Sequence, residues 1–508
     1  MTPEEASTKP RSSPSPRQPS LPATGGPDIL RSPAFIIIVT SLAALVFFTA
    51  LFLLYSRYGQ APHRLIKIVA AVAVMAVLLV RPRWTLALVL LAMPYAEWLP
   101  KSGAPFINSL NMLVAAMLLS AMISSLATRK PLIAPSSLRT PVLLFLAWTV
   151  LSWLHAWIAP LSEFPALARA RELHNSLFGL YIFFLVHRLL AAMPADMARR
   201  WIRATAVLLA ASAALGTLGA MWQASGLRHG ARVGGGLGDI NKMGTYYAMA
   251  LIWTLAAARV LGRDLWARLM TAGLILFNTL GLVFPNSRGA FVAFLAGGVG
   301  LSFSRGMKAL AIGLVVLASI PLWIPEYVAE RVDDTLGAFG EEDRYSAINE
   351  TAGGRLEFWE AALEVIIHHP LVGVGFGVMP EAIAAQLGVY KSSHNFYLEV
   401  AAEMGLPALI LILLIFYRTM RRSYRLSRSQ APPWVRATGE GTVWVAVTLF
   451  VANIFGSRFL NFSLSGYFFV AAALVERATA PDLWPLNGPF RDRADEEEAE
   501  EEEPPQNV

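Results

Sequence analysis

Apolar residues along this chain fall into blocks of membrane length, separated by short charged or Pro/Gly-rich breaks. Ala34–Leu54 carries no charge over about 21 residues, enough to cross a hydrocarbon core of about 30 Å. Similar blocks follow at Leu65–Val80, Trp84–Leu99, Ile107–Leu126, Pro141–Ala159, Ser176–Met193, Ile202–Gln223, Met243–Leu261, Trp266–Phe284, Gly289–Phe303, Met307–Val328, Leu398–Phe416, Thr442–Gly456 and Phe459–Val475. Several are short enough to be half-spans, so the pattern predicts an all-α polytopic membrane protein of about 12–14 transmembrane helices. Between them Ala329–His394 stands apart as one long polar loop. Within it Arg355–His368 reads as an amphipathic helix (Leu356, Trp359, Leu363, Ile366, Ile367). A Gly turn at Gly373–Gly377 and a second short helix at Pro380–Leu387 follow. The layout is a disordered lead (1–33), spans (34–328), the large helical loop (329–394), spans again (395–475) and an acidic disordered tail (476–508).

Composition agrees and adds orientation. Of 508 residues 55% are hydrophobic and 15% charged, whereas a soluble domain has about 25% charged, so soluble enzyme classes are excluded. The tail Arg491–Val508 holds nine acids against two Arg. That leaves +14 on the rest of a chain whose net charge is +7. Such a basic excess suits short cytoplasmic loops against an anionic leaflet and gives no case for nucleic acid. The richest basic stretch, Arg418–Arg436, belongs inside. Counting back through the spans puts Arg305/Lys308, Arg263/Arg268, Arg188–Arg203 and Arg129–Arg139 on the same side, with both termini cytoplasmic and the large loop periplasmic. Arg57–Lys67 is the misfit. The chain has no cysteine, which excludes disulfides, thiolate nucleophiles and Cys-ligated zinc.

Four polar clusters lie at external span ends or in the loop: Arg232–Asn241 (RVGGGLGDIN), Asn286–Ser287–Arg288, Gly353–Gly354–Arg355, and Ser392–Ser393–His394–Asn395 with Glu399 and Glu403 following at helical spacing. Charges at the membrane edge are functional candidates. Guanidinium groups bind phosphate oxygens bidentately without losing their proton, so Arg232, Arg288 and Arg355 suit an anionic substrate, with Asn241 and Asn395 beside it. His394 is placed to accept a proton from a hydroxyl. No metal-ligand spacing or cofactor motif accompanies them, so neither metal nor cofactor is expected. Plainer readings stand beside each. Arg288 also fits an interfacial anchor, Arg232 solvated loop charge and Gly234–Gly236 a turn. His394 also fits a helix-start residue capped by Ser392 or Ser393. Glu399 and Glu403 then pair with a nearby Arg, and His368–His369 end a helix before Pro370.

His394–Asn395, nine residues and then Gly405 resemble the HN-x9-G-x-x-[GTY] motif of the O-antigen ligase/polymerase superfamily, with Ala408 where Gly, Thr or Tyr is expected. GGRLEFWEAALEVIIHHPLVGVGFG, NSRGAF at Asn286 and RVGGGLGDIN at Arg232 are similar to other blocks of that superfamily. The resemblance implies metal-independent, inverting glycan transfer at the periplasmic face of the inner membrane. The donor would be an undecaprenyl-diphosphate-linked saccharide and the acceptor lipid A–core or another lipid-linked repeat unit. It implies that Arg232 and Arg288 hold the donor diphosphate, that His394 activates or positions the acceptor, and that Arg355 binds one of the two. Ala408 tilts the expectation toward polymerase or exopolysaccharide assembly. A transporter or flippase of lipid-linked saccharide is the alternative, and it predicts mid-span charges and an internal repeat.

Overall fold

A computed structural model of the chain describes residues 77–79, 81–99, 109–158, 166–226, 232–258, 260, 264–311, 313, 315, 349 and 354–484. The lead, the span Ala34–Leu54, most of Leu65–Val80 and of Met307–Val328, the acidic first part of the loop apart from Asn349, and the end of the tail lie outside these residues. One compact unit holds Ala73–Ser125 and the chain from Arg129 onward, and it is the unit described here.

Every regular element among the described residues is helical: α1 Pro82–Ala92, α2 Ser109–Thr128, α3 Arg139–Ile158, α4 Ala166–Ala191, α5 Ala195–Ser225, α6 Ile240–Ala257, α7 Leu265–Val283, α8 Arg288–Ser304, α9 Arg355–His368, α10 Met379–Leu387, α11 Phe396–Ser427, α12 Pro433–Ala452 and α13 Phe462–Ala478. Seven are long and apolar enough to cross a bilayer. The chain is therefore an all-α, multi-pass membrane protein.

The central helix is α13, buried from Ser463 to Ala478. It packs along α4 and α12, while α12 packs against α6, α8 and α11. Small residues permit these approaches. A Cβ on Gly179 of α4 would fall 2.5 Å from the Cβ of Ser465, and one on Gly297 of α8 would fall 2.1 Å from the Thr448 hydroxyl of α12. This is how helices associate where lipid tails remove the hydrophobic drive between them. Helices α2 and α7 bury little and keep apolar faces outward.

Helices α4, α5 and α12 begin well before their apolar blocks and α11 runs well past its own, and two further boundaries change for a local reason. The block Trp84–Leu99 is a half-span. Helix α1 ends at Ala92, and Pro94 turns the chain through a 3-10 turn at Met93–Tyr95, because a proline ring cannot continue the ladder. The stretch Glu476–Trp484, assigned above to the tail, closes α13 and a packed turn. There Arg477 meets Asp482 at 2.6 Å and Leu483 is fully buried.

Polar groups collect at two ends of the bundle. At the basic end Arg418 donates to Ser137 O (2.9 Å), Arg305 pairs with Glu440 (2.7 Å) and Arg422 with Glu476 (3.2 Å). At the other end lie the candidate site residues and a backbone crossing that orders them.

The crossing explains why Gly373–Gly377 and Gly405 occur together. Gly405 interrupts α11 at φ 79°, ψ 171°, a conformation open essentially to glycine alone, with Pro407 two residues on. The break strips carbonyls of their helical partners at membrane depth, where each orphan costs several kcal/mol. Val374 N donates to Ala402 O (2.9 Å), Gly375 N and Ser152 Oγ to Glu403 O (2.8 and 3.0 Å), and Trp148 Nε1 to Met404 O (2.7 Å). In return Leu406 N donates to Pro370 O (2.8 Å). A Cβ on Gly405 would sit 2.2 Å from Leu371 O, and one on Gly373 would sit 2.3 Å from the Glu403 carbonyl carbon. Gly405→Ala is therefore expected to cost about 3 kcal/mol or more. Gly388→Ala, at φ 70° with open space around it, is expected to cost only about 1–2 kcal/mol. Thermal midpoints of the two purified variants check the contrast.

Candidate active site

Three helix N-termini converge at the end of the bundle opposite the basic residues. Asn241 is the second residue of α6, Arg288 the first of α8 and Arg355 the first of α9. Each first turn presents backbone N–H groups without helical partners and a share of positive helix dipole, which together favour an anion. With Arg232 and Gly289 these residues line a cavity of about 100 Å³.

Each wall has a local cause. Asp239 caps α6 by accepting from Lys242 N (2.7 Å). Asn349 caps the start of α9, its Oδ1 taking Leu356 N (3.1 Å) and its Nδ2 giving to Glu357 (2.8 Å). The turn from α7 into α8 is held by Arg232, which donates from Nε to Pro285 O and from Nη2 to Asn286 O, both at 3.1 Å. Arg232 is thus an oriented guanidinium and not solvated loop charge. Ser287 Oγ donates to Asn241 Oδ1 (2.8 Å), joining α6 to α8. Asn286 adopts φ 45°, and its side-chain oxygen is buried with no hydrogen-bond partner among the described residues. The Gly run does not face an anion. Gly235 N donates to Gln223, Gly236 O accepts from Glu97 N (2.8 Å), and a Cβ on Gly236 would meet Pro94 O at 2.4 Å. It is a close-packing device against the turn after α1.

His394 stands beside this cavity, its ring 6.3 Å from Phe358, one turn into α9 after Arg355. Its backbone lies at φ 54°, left-handed. The cap expected from Ser392 or Ser393 is instead made by Asn395, whose Oδ1 accepts from Tyr397 N (3.0 Å) and Leu398 N (3.3 Å). The Oδ1 of Asn395 thus starts α11 directly after His394. Burial first, then the positive charges of Arg355, Arg458 and Lys391, hold the His394 pKa below its usual value, with Asp239 opposing. The imidazole is therefore neutral at pH 7, the form that accepts a proton. The sign for stability follows. A folded state that binds this proton less readily than the unfolded chain loses stability as pH falls through about 6.5, the unfolded value.

Arg458 is the residue the sequence reading missed. It lies on the short turn between α12 and α13, is 8% exposed, donates to Phe455 O (3.2 Å) and faces Asp239 at 3.9 Å. Desolvation lowers its pKa to about 10, so it stays charged. The signal was present. Arg288 sits between Trp266–Phe284 and Gly289–Phe303 with almost no loop, and Ser457–Arg458 between Thr442–Gly456 and Phe459–Val475 has the same signature. Arg458→Gln removes one positive charge facing His394. The acid limb of the pH–rate profile is expected to move upward toward pH 6.5 while kcat at pH 8 changes less than tenfold.

Among the described residues neither glutamate of α11 forms an ion pair with Arg. Glu399 takes a hydrogen bond from Ser457, next to Arg458. Glu403 is 3% exposed and takes Met379 N at 3.2 Å, tying the start of α10 to the broken helix. His368 ends α9, with His369 and Pro370 beyond it.

Residues 272–413 match the family described as O-antigen ligase. That segment contains Arg288, Arg355, His394, Asn395 and Gly405, whereas Arg232, Asn241 and Arg458 lie outside it. No curated protein matches the chain. The matched segment carries the turn before α8, the loop helices and the broken helix α11, and there the chain is similar to the O-antigen ligase family.

Proposed function

We propose that this protein transfers a saccharide from an undecaprenyl-diphosphate-linked donor to a sugar hydroxyl at the periplasmic face of the inner membrane, in O-antigen or exopolysaccharide assembly. The observation that carries the reading is the cavity bounded by three helix N-termini and lined by Arg232, Arg288 and Arg355. The periplasmic assignment rests on the basic end of the bundle, which the positive-inside rule places in the cytoplasm.

His394, neutral and held by the cap below it, takes the proton of the acceptor hydroxyl. The oxygen attacks the anomeric carbon from the face opposite the diphosphate, and the bond from carbon to diphosphate oxygen breaks with inversion. The leaving diphosphate carries the negative charge, and Arg288, Arg232 and Arg355 stabilise it where it develops. Asn241 orients through its bond with Ser287, and the unpartnered Asn286 oxygen is available to a donor hydroxyl. With guanidinium groups supplying the charge stabilisation, activity is expected to survive a chelator.

The competing reading, a transporter of lipid-linked saccharide, needs mid-span charges free to bind cargo. Glu403, the buried carboxylate of α11, is engaged by backbone N–H of the loop.

Glycan profiles of a strain lacking the protein test the reading and divide it. Long lipid-linked chains with no polymer on lipid A mean a ligase. Single lipid-linked repeats with no polymer anywhere mean a polymerase. Unchanged lipopolysaccharide, secreted polysaccharide and lipid-linked saccharide would overturn it.

A further inference from the structure

The loop between the spans also carries an apolar face that the transfer chemistry does not use. On α9 and just beyond it Leu363, Ile367 and Leu371 recur at i, i+4 and i+8 and are exposed at 48%, 75% and 69%. Beside them Glu360, Glu364 and His368 form a parallel exposed polar row. The apolar row leads to a membrane-spanning helix. The Pro370 O bond to Leu406 N (2.8 Å) sets Leu371 directly against the broken point of α11. There the outward stripe Leu406, Ile410 and Leu413 begins, 40%, 64% and 37% exposed on a membrane-spanning helix.

Depth follows from helix geometry. From Gly405 to Arg418, where α11 turns basic behind Tyr417, the rise is about 20 Å at 1.5 Å per residue. The hydrocarbon core is about 30 Å thick and tilt only shortens the rise, so Gly405 lies about 10 Å inside the far boundary. Whatever crosses the chain at Gly405 lies at that depth as well. Irregular backbone survives there only if its polar groups are satisfied, and the crossing satisfies them.

We propose that this face is a lipid-contact surface. The C-terminal part of α9 and the turn after it are re-entrant, with Leu363, Ile367 and Leu371 covered by acyl chains of the leaflet on the side of the site and Glu360, Glu364 and His368 turned toward headgroups. The inference rests on membrane geometry alone and stands or falls independently of glycan transfer. It has a consequence for the site: the ten residues from Gly405 back to Asn395 rise about 15 Å at most, which brings His394 to headgroup depth, level with a lipid-borne diphosphate.

The chain has no cysteine, so single labels are clean. Ile367→Cys, Leu371→Cys and Leu363→Cys would each carry a nitroxide in proteoliposomes, with Ile410→Cys as the bilayer reference and Glu364→Cys as the polar reference. Collision rates with oxygen, which concentrates in hydrocarbon, and with a water-soluble nickel chelate are then compared. The expected result is that positions 367 and 371 match 410, with nickel collisions several-fold below those at 364. Nickel access at 367 and 371 equal to that at 364 would overturn the proposal, and so would labels shielded from both reagents, which would mean protein covers the face. Position 363 decides if one of the other two variants fails to fold.

Discussion

Arg288→Ala is expected to lower the rate of glycan transfer by about 10²–10³-fold with little loss of folded protein. The side chain opens α8 and borders the cavity together with Arg232, Asn241, Gly289 and Arg355. Removing one preorganised donor from a site where negative charge develops costs about 3–4 kcal/mol of transition-state stabilisation. Folding should hold because alanine is the best helix former and Arg232 and Ser287 hold the turn before α8. Arg288→Lys keeps the charge but loses the planar fork, so it should recover only part of the rate. A fall in kcat larger than the rise in KM would place the interaction in the transition state. Equal activity in a well-folded Arg288→Ala sample would remove it from the site.

His394→Ala is expected to lose about 10²–10⁴ in kcat, the range for removing a general base. Because the residue sits at φ 54°, alanine adds backbone strain of its own. His394→Asn is the cleaner variant, since asparagine tolerates the left-handed region and cannot act as the base. The wild-type rate should hold as pH falls through 6.5 and drop only in more acid solution, because burial and then Arg355, Arg458 and Lys391 keep the imidazole neutral. In the Asn variant that limb should disappear. An acid limb retained in His394→Asn would assign it to another group.

Much of this was legible in the apolar pattern, and the failures have physical causes. Spans are long periodic signals, so α2, α3, α7 and α8 fall within a few residues of the blocks that predict them. The Trp84–Leu99 block misleads because hydropathy ignores Pro94. The site was legible where a charge interrupts two spans, as at Arg288. It was illegible where a side chain has a structural partner: Asn395 caps α11, and Arg232 looks solvated but clamps the turn at Pro285. The pairing of Gly373–Gly377 with Gly405 depends on a tertiary crossing, which local spacing does not reveal. Arg458 was readable by the rule already applied to Arg288.

The most direct test of the central claim is transfer by the purified protein in liposomes, supplied with an undecaprenyl-diphosphate-linked saccharide and a glycan acceptor, with release of undecaprenyl diphosphate measured beside the new glycosidic product. One diphosphate should be released per linkage formed in wild type, with both signals falling together in Arg288→Ala and His394→Asn. Saccharide moving across the membrane with its diphosphate linkage intact, and no linkage formed, would contradict it.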